Sequence, residues 1–274
     1  GDASHDERSY ARQIAERYQT NHTEQVVAPG SLTAGGDTLA RISAVYDEPF
    51  ADSSAVPTLR VCAIARQHVT VALSGDGGDE VFAGYRRYLW HVREHGVRRL
   101  LPDALRGPVF SMLAALYPHM PNAPRFLRAK STLRELAASS VDAYFNNVAV
   151  IDEGLWQSML TPRFRAQLQG YRPRMVIAGL MDRAPTENPL LQAQYTDLKT
   201  WLAGRMLVKI DRASMANSLE VRSPFLDHEL VSWALQLPAS LKLSGGTYKA
   251  VLKKALEPLV PRDLLYRPKQ GFGV

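Results

Sequence analysis

The chain reads as an α/β protein: part of a parallel sheet within residues 1–88, then a mostly helical part over 89–274 that packs on it. Three observations carry that reading. Residues 69–73, Val-Thr-Val-Ala-Leu, form a short apolar run with the length of a buried parallel strand. The run breaks at once into Ser74-Gly75-Asp76-Gly77-Gly78-Asp79-Glu80, a Gly-rich turn that leads into a helix. Helical and extended patterns alternate up to Tyr88, and after it the extended patterns stop.

Taken in order, residues 6–19 place Tyr10, Ile14, Ala15 and Tyr18 on one helical face. Residues 22–27 fit a short strand, 37–46 a helix, and 47–54 a loop rich in carboxylates and hydroxyls. Pro57 suits the first turn of a helix over 55–67. The strand at 69–73 follows, with Asp79 suited to the N-cap of the next helix. Helical spacing then recurs at 89–97, 106–117, 131–138, 141–148, 152–160, 190–202 and 204–217. Asp227 is a good N-cap for 228–237, and Pro238 ends that helix. Gly245-Gly246 precedes a basic helix at 247–256, and the chain closes on Arg267-Pro268-Lys269-Gln270-Gly271. Two strands are too few for an independent sheet of this kind, so a chain shortened at both ends is expected.

At 274 residues this is one large domain or two small ones, and 46% apolar with 22% charged residues is ordinary for a globular protein. No apolar run has the length of a membrane span, and the first ten residues are not a signal peptide, so a cytoplasmic location is expected. Cys62 is the one cysteine, which excludes an intrachain disulfide and a cysteine-based metal site. The net charge of +6 suits an anionic small ligand or a weak nucleic-acid contact, and does not choose between them. Arg125, Arg128, Lys130 and Arg134 read as a solvated helix face, and no nucleic-acid partner is expected.

Four groups carry the candidate chemistry. In residues 74–80 the glycines remove Cβ atoms and let backbone N–H groups approach a ligand. A strand, tight turn and helix start form a phosphate or nucleotide site. Asp76 and Asp79 would repel a bare phosphate, so a bridging Mg²⁺ is the natural companion. A plain turn between strand and helix is the competing reading. In the second group, Lys209, Asp211, Arg212, Glu220 and Arg222 read as mutually neutralising ion pairs at a helix corner. Lys249 and Lys269, each beside a Gly-rich turn, are solvated charges or two points that hold a pyrophosphate. The seven histidines show no metal-ligand spacing and read as surface or helix-end residues.

Four motifs in series, DEPFADSSAVPT, VALSGDGGDEVFAGYRRY, KIDRASMANSLEVRSPFLDHEL and YRPKQGFG, resemble the synthetase domain of the glutamine-hydrolysing asparagine synthetase family. The resemblance covers most of the chain and is thin over 89–188. It implies an ATP-pyrophosphatase-like α/β domain that binds adenine nucleotide and is followed by helices. It also implies the family's reaction. A substrate carboxylate, aspartate first, is adenylated with Mg-ATP. Ammonia, delivered by a glutaminase domain, then displaces AMP to give the amide. Related β-lactam synthetases and other amidotransferases adenylate other carboxylates, and a non-catalytic binding module is the reading in a different class.

Residue by residue, the resemblance matches Ser74, Gly75, Gly77 and Gly78 to nucleotide-binding positions and Asp76 to an acidic position tied to adenylate formation. It matches Asp79 to a Mg²⁺ ligand, and Lys249 and Lys269 to the lysines that hold the pyrophosphate. Three departures stand out. The family's Ser-Gly-Gly-x-Asp-Ser loop is absent, and so is the glutaminase domain with its N-terminal cysteine. Arg205 stands where the family usually has Asp. The segment alone is therefore expected not to make an amide from glutamine. A homodimer is one assembly the resemblance allows.

Overall fold

The computed structural model describes residues 6–26, 37–118 and 129–267. They are mostly helical, with one small parallel sheet. The chain folds into two compact units that interleave along the sequence. The first comprises Gly1–Gly78, Trp201–Ala234 and Lys249–Val274; the second comprises Asp79–Thr200 and Leu235–Tyr248.

In the first unit, strand β1 (Val71–Leu73) runs parallel to β2 (Glu220–Arg222), with Val71 opposite Glu220 and Leu73 opposite Arg222. Ser74 N–H donates to Arg222 O at 2.8 Å and Glu220 N–H to Thr70 O at 2.9 Å, extending the ladder at both ends. The strand period of two turns Ala72 and Val221 inward, against a core of Tyr46, Ala55, Leu59, Cys62, Ala213 and Leu219. Helices Ala55–Arg66 and Leu207–Met215 pack together beside the sheet, and Tyr46 stacks on Phe50 at 4.6 Å.

Three expectations are corrected here. The run 69–73 does form a parallel strand, but not a buried one: Leu73 is 74% exposed. Alternation leaves only its Ala72 face packed. Extended structure does not stop after Tyr88, since β2 lies at Glu220–Arg222, where paired charges had suggested a helix corner. Residues 22–26 carry no strand.

In the second unit, Ala83, Tyr88, Tyr144, Ile177, Met181, Leu190 and Ala193 form the core. Its polar centre is Asp197, 1% exposed, which accepts from Arg87 Nη2 and from the Tyr88 hydroxyl, each at 2.6 Å. This guanidinium–carboxylate contact is a satisfied buried ion pair, costly to break from one side. Helix ends are capped by side chains: Ser139, Asp152, Thr161 and Asn188 each accept from a first-turn N–H. His91 corrects the surface reading of the histidines. It is buried, meets Tyr144 edge-on at 5.0 Å, and burial pushes its imidazole down to about 4, so it stays neutral.

Helices Pro162–Gln167 and Arg174–Arg183 join those expected. The helix after the Gly-rich turn begins at Gly78, one residue before the expected cap, and ends at Val81. Ala83, at φ 57°, then breaks the chain before helix Arg86–Arg98. Between Pro189–Asp197 and Leu207–Met215 the backbone is a π-helix over Leu198–Met206, in place of the expected break near Ala203. Arg125 and Arg128 lie outside the described residues, and Arg134 is exposed as expected.

Candidate active site

The Gly-rich turn leaves β1 at Ser74. Its backbone N–H is held by Arg222, and its Oγ lies 2.9 Å from Ser223 Oγ. The first residue after β2 therefore fixes the hydroxyl that opens the loop. Gly78 N–H donates back to Gly75 O at 3.3 Å, closing a tight turn.

Each glycine serves a separate purpose. A Cβ on Gly75 would meet nothing within 4 Å, so this exposed backbone is open to a ligand. Gly77 has φ +86°, and a Cβ there would lie 2.2 Å from Leu226 Cδ2. A Cβ on Gly78 would come within 3.2 Å of Phe225 Cδ2 and 3.6 Å of Lys249 Nζ. Phe225 and Leu226 thus seat the loop from below, and the Lys249 ammonium comes up beside its backbone.

Lys249 does not lie inside a helix as expected. It is the N-cap of helix Ala250–Leu256, with φ 53° and ψ 38°. A left-handed lysine costs on the order of 1–3 kcal/mol, a strain that collects at functional sites. The structure brings Ser74, Gly75, Asp76, Gly77, Gly78 and Lys249 into one unit. Asp79 follows Gly78 in the chain and belongs to the other unit. It is half-buried, and its carbonyl accepts from Gly84 N–H at 2.7 Å. Lys269 lies outside the described residues.

A second cluster in the first unit went unread in the sequence. Asp52, from the carboxylate-rich loop, accepts from Ser54 Oγ at 2.6 Å and Arg205 Nε at 3.1 Å, and lies 3.6 Å from Lys209 Nζ. Burial pushes its carboxyl up, but the Ser54 hydrogen bonds with Lys209 and Arg205 outweigh that and hold it below the usual range. Lys209 Nζ also donates to Ser54 Oγ at 2.9 Å, and the Arg205 guanidinium lies 4.4 Å from the Trp201 ring centroid. The expected mutual neutralisation of the second group is thus corrected. Lys209 pairs with Asp52 and Arg212 with Asp47, while Arg222 alone pairs within the group, with exposed Glu220. The signal was present as acids in one motif and bases in another, at a separation that spacing does not bridge.

Cys62 is buried, and burial pushes its thiol up, which keeps it unreactive. Among the described residues no group of three or more His, Cys, Asp or Glu is placed to hold a metal. No described helix is long and apolar enough to cross a membrane.

The family model described as asparagine synthase matches residues 1–274. The chain belongs to the asparagine synthase family. A Mycobacterium bovis protein, provisionally named a glutamine-hydrolyzing asparagine synthetase, is 37% identical over 267 residues. That match covers 95% of this chain and 38% of the relative. A Bacillus subtilis glutamine-hydrolyzing asparagine synthetase is 32% identical over 268 residues, covering 96% of this chain and 39% of the relative. The Gallus gallus asparagine synthetase shares 41% identity over 70 residues, 24% of this chain and 12% of its own length. The chain spans about two-fifths of the length of these bacterial relatives.

The open face at Gly75 makes a prediction of its own. Gly75→Ala should leave stability within about 0.5 kcal/mol, because the added methyl meets no neighbour. It should weaken nucleotide binding, because the methyl occupies the approach to the backbone. Thermal melting with and without nucleotide separates the two effects. Unchanged binding would mean that the loop is only a turn.

Proposed function

We propose that this chain carries the carboxylate-activating step of an ATP-dependent amidoligase. Residues 1–88 supply the nucleotide loop, and residues from 89–274 complete it through Ser223, Phe225, Leu226 and Lys249. The observation that supports this most is the Lys249 ammonium beside the backbone of Gly78, at the loop's end. A plain surface turn has no use for a strained lysine at its side.

The residues present fit a phosphate-bearing ligand. Gly75 offers open backbone, Ser74 a hydroxyl, and Lys249 a cation. Asp79 alone is too little for a protein-only Mg²⁺ cage, but Mg²⁺ accepts one carboxylate with phosphate oxygens and water. When bound, Mg-ATP supplies an electrophilic phosphorus and a pyrophosphate leaving group. Ser74 and the loop backbone orient the phosphates. Lys249, with Lys269, offsets the charge that grows as pyrophosphate departs. Asp76, in the same loop, would order the reacting groups. A carboxylate oxygen attacks the α-phosphorus while the bond to pyrophosphate breaks. Ammonia from a glutaminase domain then attacks the acyl carbon, loses a proton, and expels AMP. With aspartate as acceptor the products are asparagine, AMP and pyrophosphate.

A second reading concerns the acceptor alone. Arg205 stands where Asp is usual and binds the half-buried Asp52 carboxylate, which favours a carboxylate other than aspartate. In the full-length protein, pyrophosphate release should require Mg-ATP and one acceptor from a panel of carboxylates. Asp79→Asn should reduce it at least tenfold and raise the Mg²⁺ needed for half-saturation. Undiminished release by Asp79→Asn would remove that residue from the metal site.

A further inference from the structure

Gln194 and Lys242 are both 0% exposed, and both lie in the second unit. Gln194 Nε2 donates to Glu80 O at 2.6 Å and to Val81 O at 2.9 Å. These carbonyls end the helical turn Gly78–Val81 that carries Asp79. Gln194 Oε1 accepts from Lys242 Nζ at 3.2 Å. The amide has one orientation here, because its oxygen must face the ammonium and its nitrogen the two carbonyls.

Lys242 sits at the end of the short helix Ala239–Lys242, whose Ala239 and the following Leu243 pack on the apolar core. Its ammonium donates to a neutral amide, although an ammonium taken out of water normally needs a carboxylate. Burial alone pushes its pKa down to about 8, so it remains charged at neutral pH. A methionine of similar length would fill the same space without that cost. The charge therefore has a use other than packing. It polarises the Gln194 amide and strengthens both of its N–H donors.

We propose that Lys242 and Gln194 act as a positioning pair that clamps the Asp79 turn by its last two carbonyls and so sets the Asp79 carboxylate for its metal. This inference rests on the adenylating function proposed above for the same turn. Both side chains are fully buried, so their effect passes through Asp79.

The test uses the full-length protein with Lys242→Met and Gln194→Glu. Methionine removes the charge. Glutamate accepts from Lys242 as a salt bridge but loses both donors to the turn. Both variants should fold, with Lys242→Met melting no lower than the parent. Hydrogen exchange at the Gly84 amide, which bonds Asp79 O, should be at least tenfold faster in both. The Mg²⁺ concentration for half-maximal pyrophosphate release should rise about tenfold, with the KM for the carboxylate acceptor unchanged. Lys242→Arg should recover part of both effects. Unchanged exchange and unchanged Mg²⁺ dependence in either variant would overturn the clamp. If the parent releases no pyrophosphate with any acceptor, the functional reading fails instead, and the exchange rates alone decide the clamp.

Discussion

Lys249→Ala is expected to lower kcat for pyrophosphate release by roughly two orders of magnitude, the scale for losing one preorganised electrostatic contact. The Michaelis constant for ATP should move much less, because the charge to be offset grows in the transition state. Lys249 is well suited to this test because its backbone separates fold from chemistry. At φ 53° the residue is strained. Lys249→Gly should therefore be more stable than Lys249→Ala by about 1 kcal/mol, while both lose the same rate. Lys249→Arg should not restore activity, since a planar fork replaces a compact charge beside Gly78. A parent-like kcat in Lys249→Ala would make it an ordinary surface lysine.

Gly77→Ala is expected to destabilise the first unit by about 2–4 kcal/mol, combining overpacking with a left-handed backbone. The added methyl would fall 2.2 Å from Leu226 Cδ2 and 2.6 Å from Leu226 Cγ. The end of the leucine side chain can swing aside, but Cγ moves only with the whole side chain. Adding Leu226→Ala should restore part of the loss and leave about 1 kcal/mol from the positive φ. Chemical denaturation of the three variants measures each share. No loss in Gly77→Ala would mean that residues 224–226 do not seat the loop.

Much of the candidate site was legible because glycine and acid density is a local signal. Residues 74–80 declare a turn with open backbone, whatever surrounds them. Asp227 was legible as a cap for the same reason: its carboxylate accepts from the N–H groups of Glu229 and Leu230, two and three residues on. β2 was not legible, because Glu-Val-Arg offers one apolar residue between two charges, and only its pairing with β1 makes it a strand. The apolar run of β1 announced a strand but did not reveal which of its faces would be packed. Long-range meetings were equally silent. Nothing local ties Lys249 to Gly78, Asp52 to Lys209, or Lys242 to Gln194. A lone lysine in sequence reads as solvated, and Lys242 is fully buried. The family resemblance filled part of this gap by matching Lys249, although Lys249 and Lys242 both lie outside the four motifs.

Attack by a carboxylate on the α-phosphorus is tested most directly by isotope transfer. The full-length protein would be given Mg-ATP, ammonia and a carboxylate acceptor labelled with oxygen-18 at both oxygens. Adenylation predicts one labelled oxygen in AMP and one retained in the amide, with unlabelled pyrophosphate. Label in inorganic phosphate, with ADP as the nucleotide product, would contradict it.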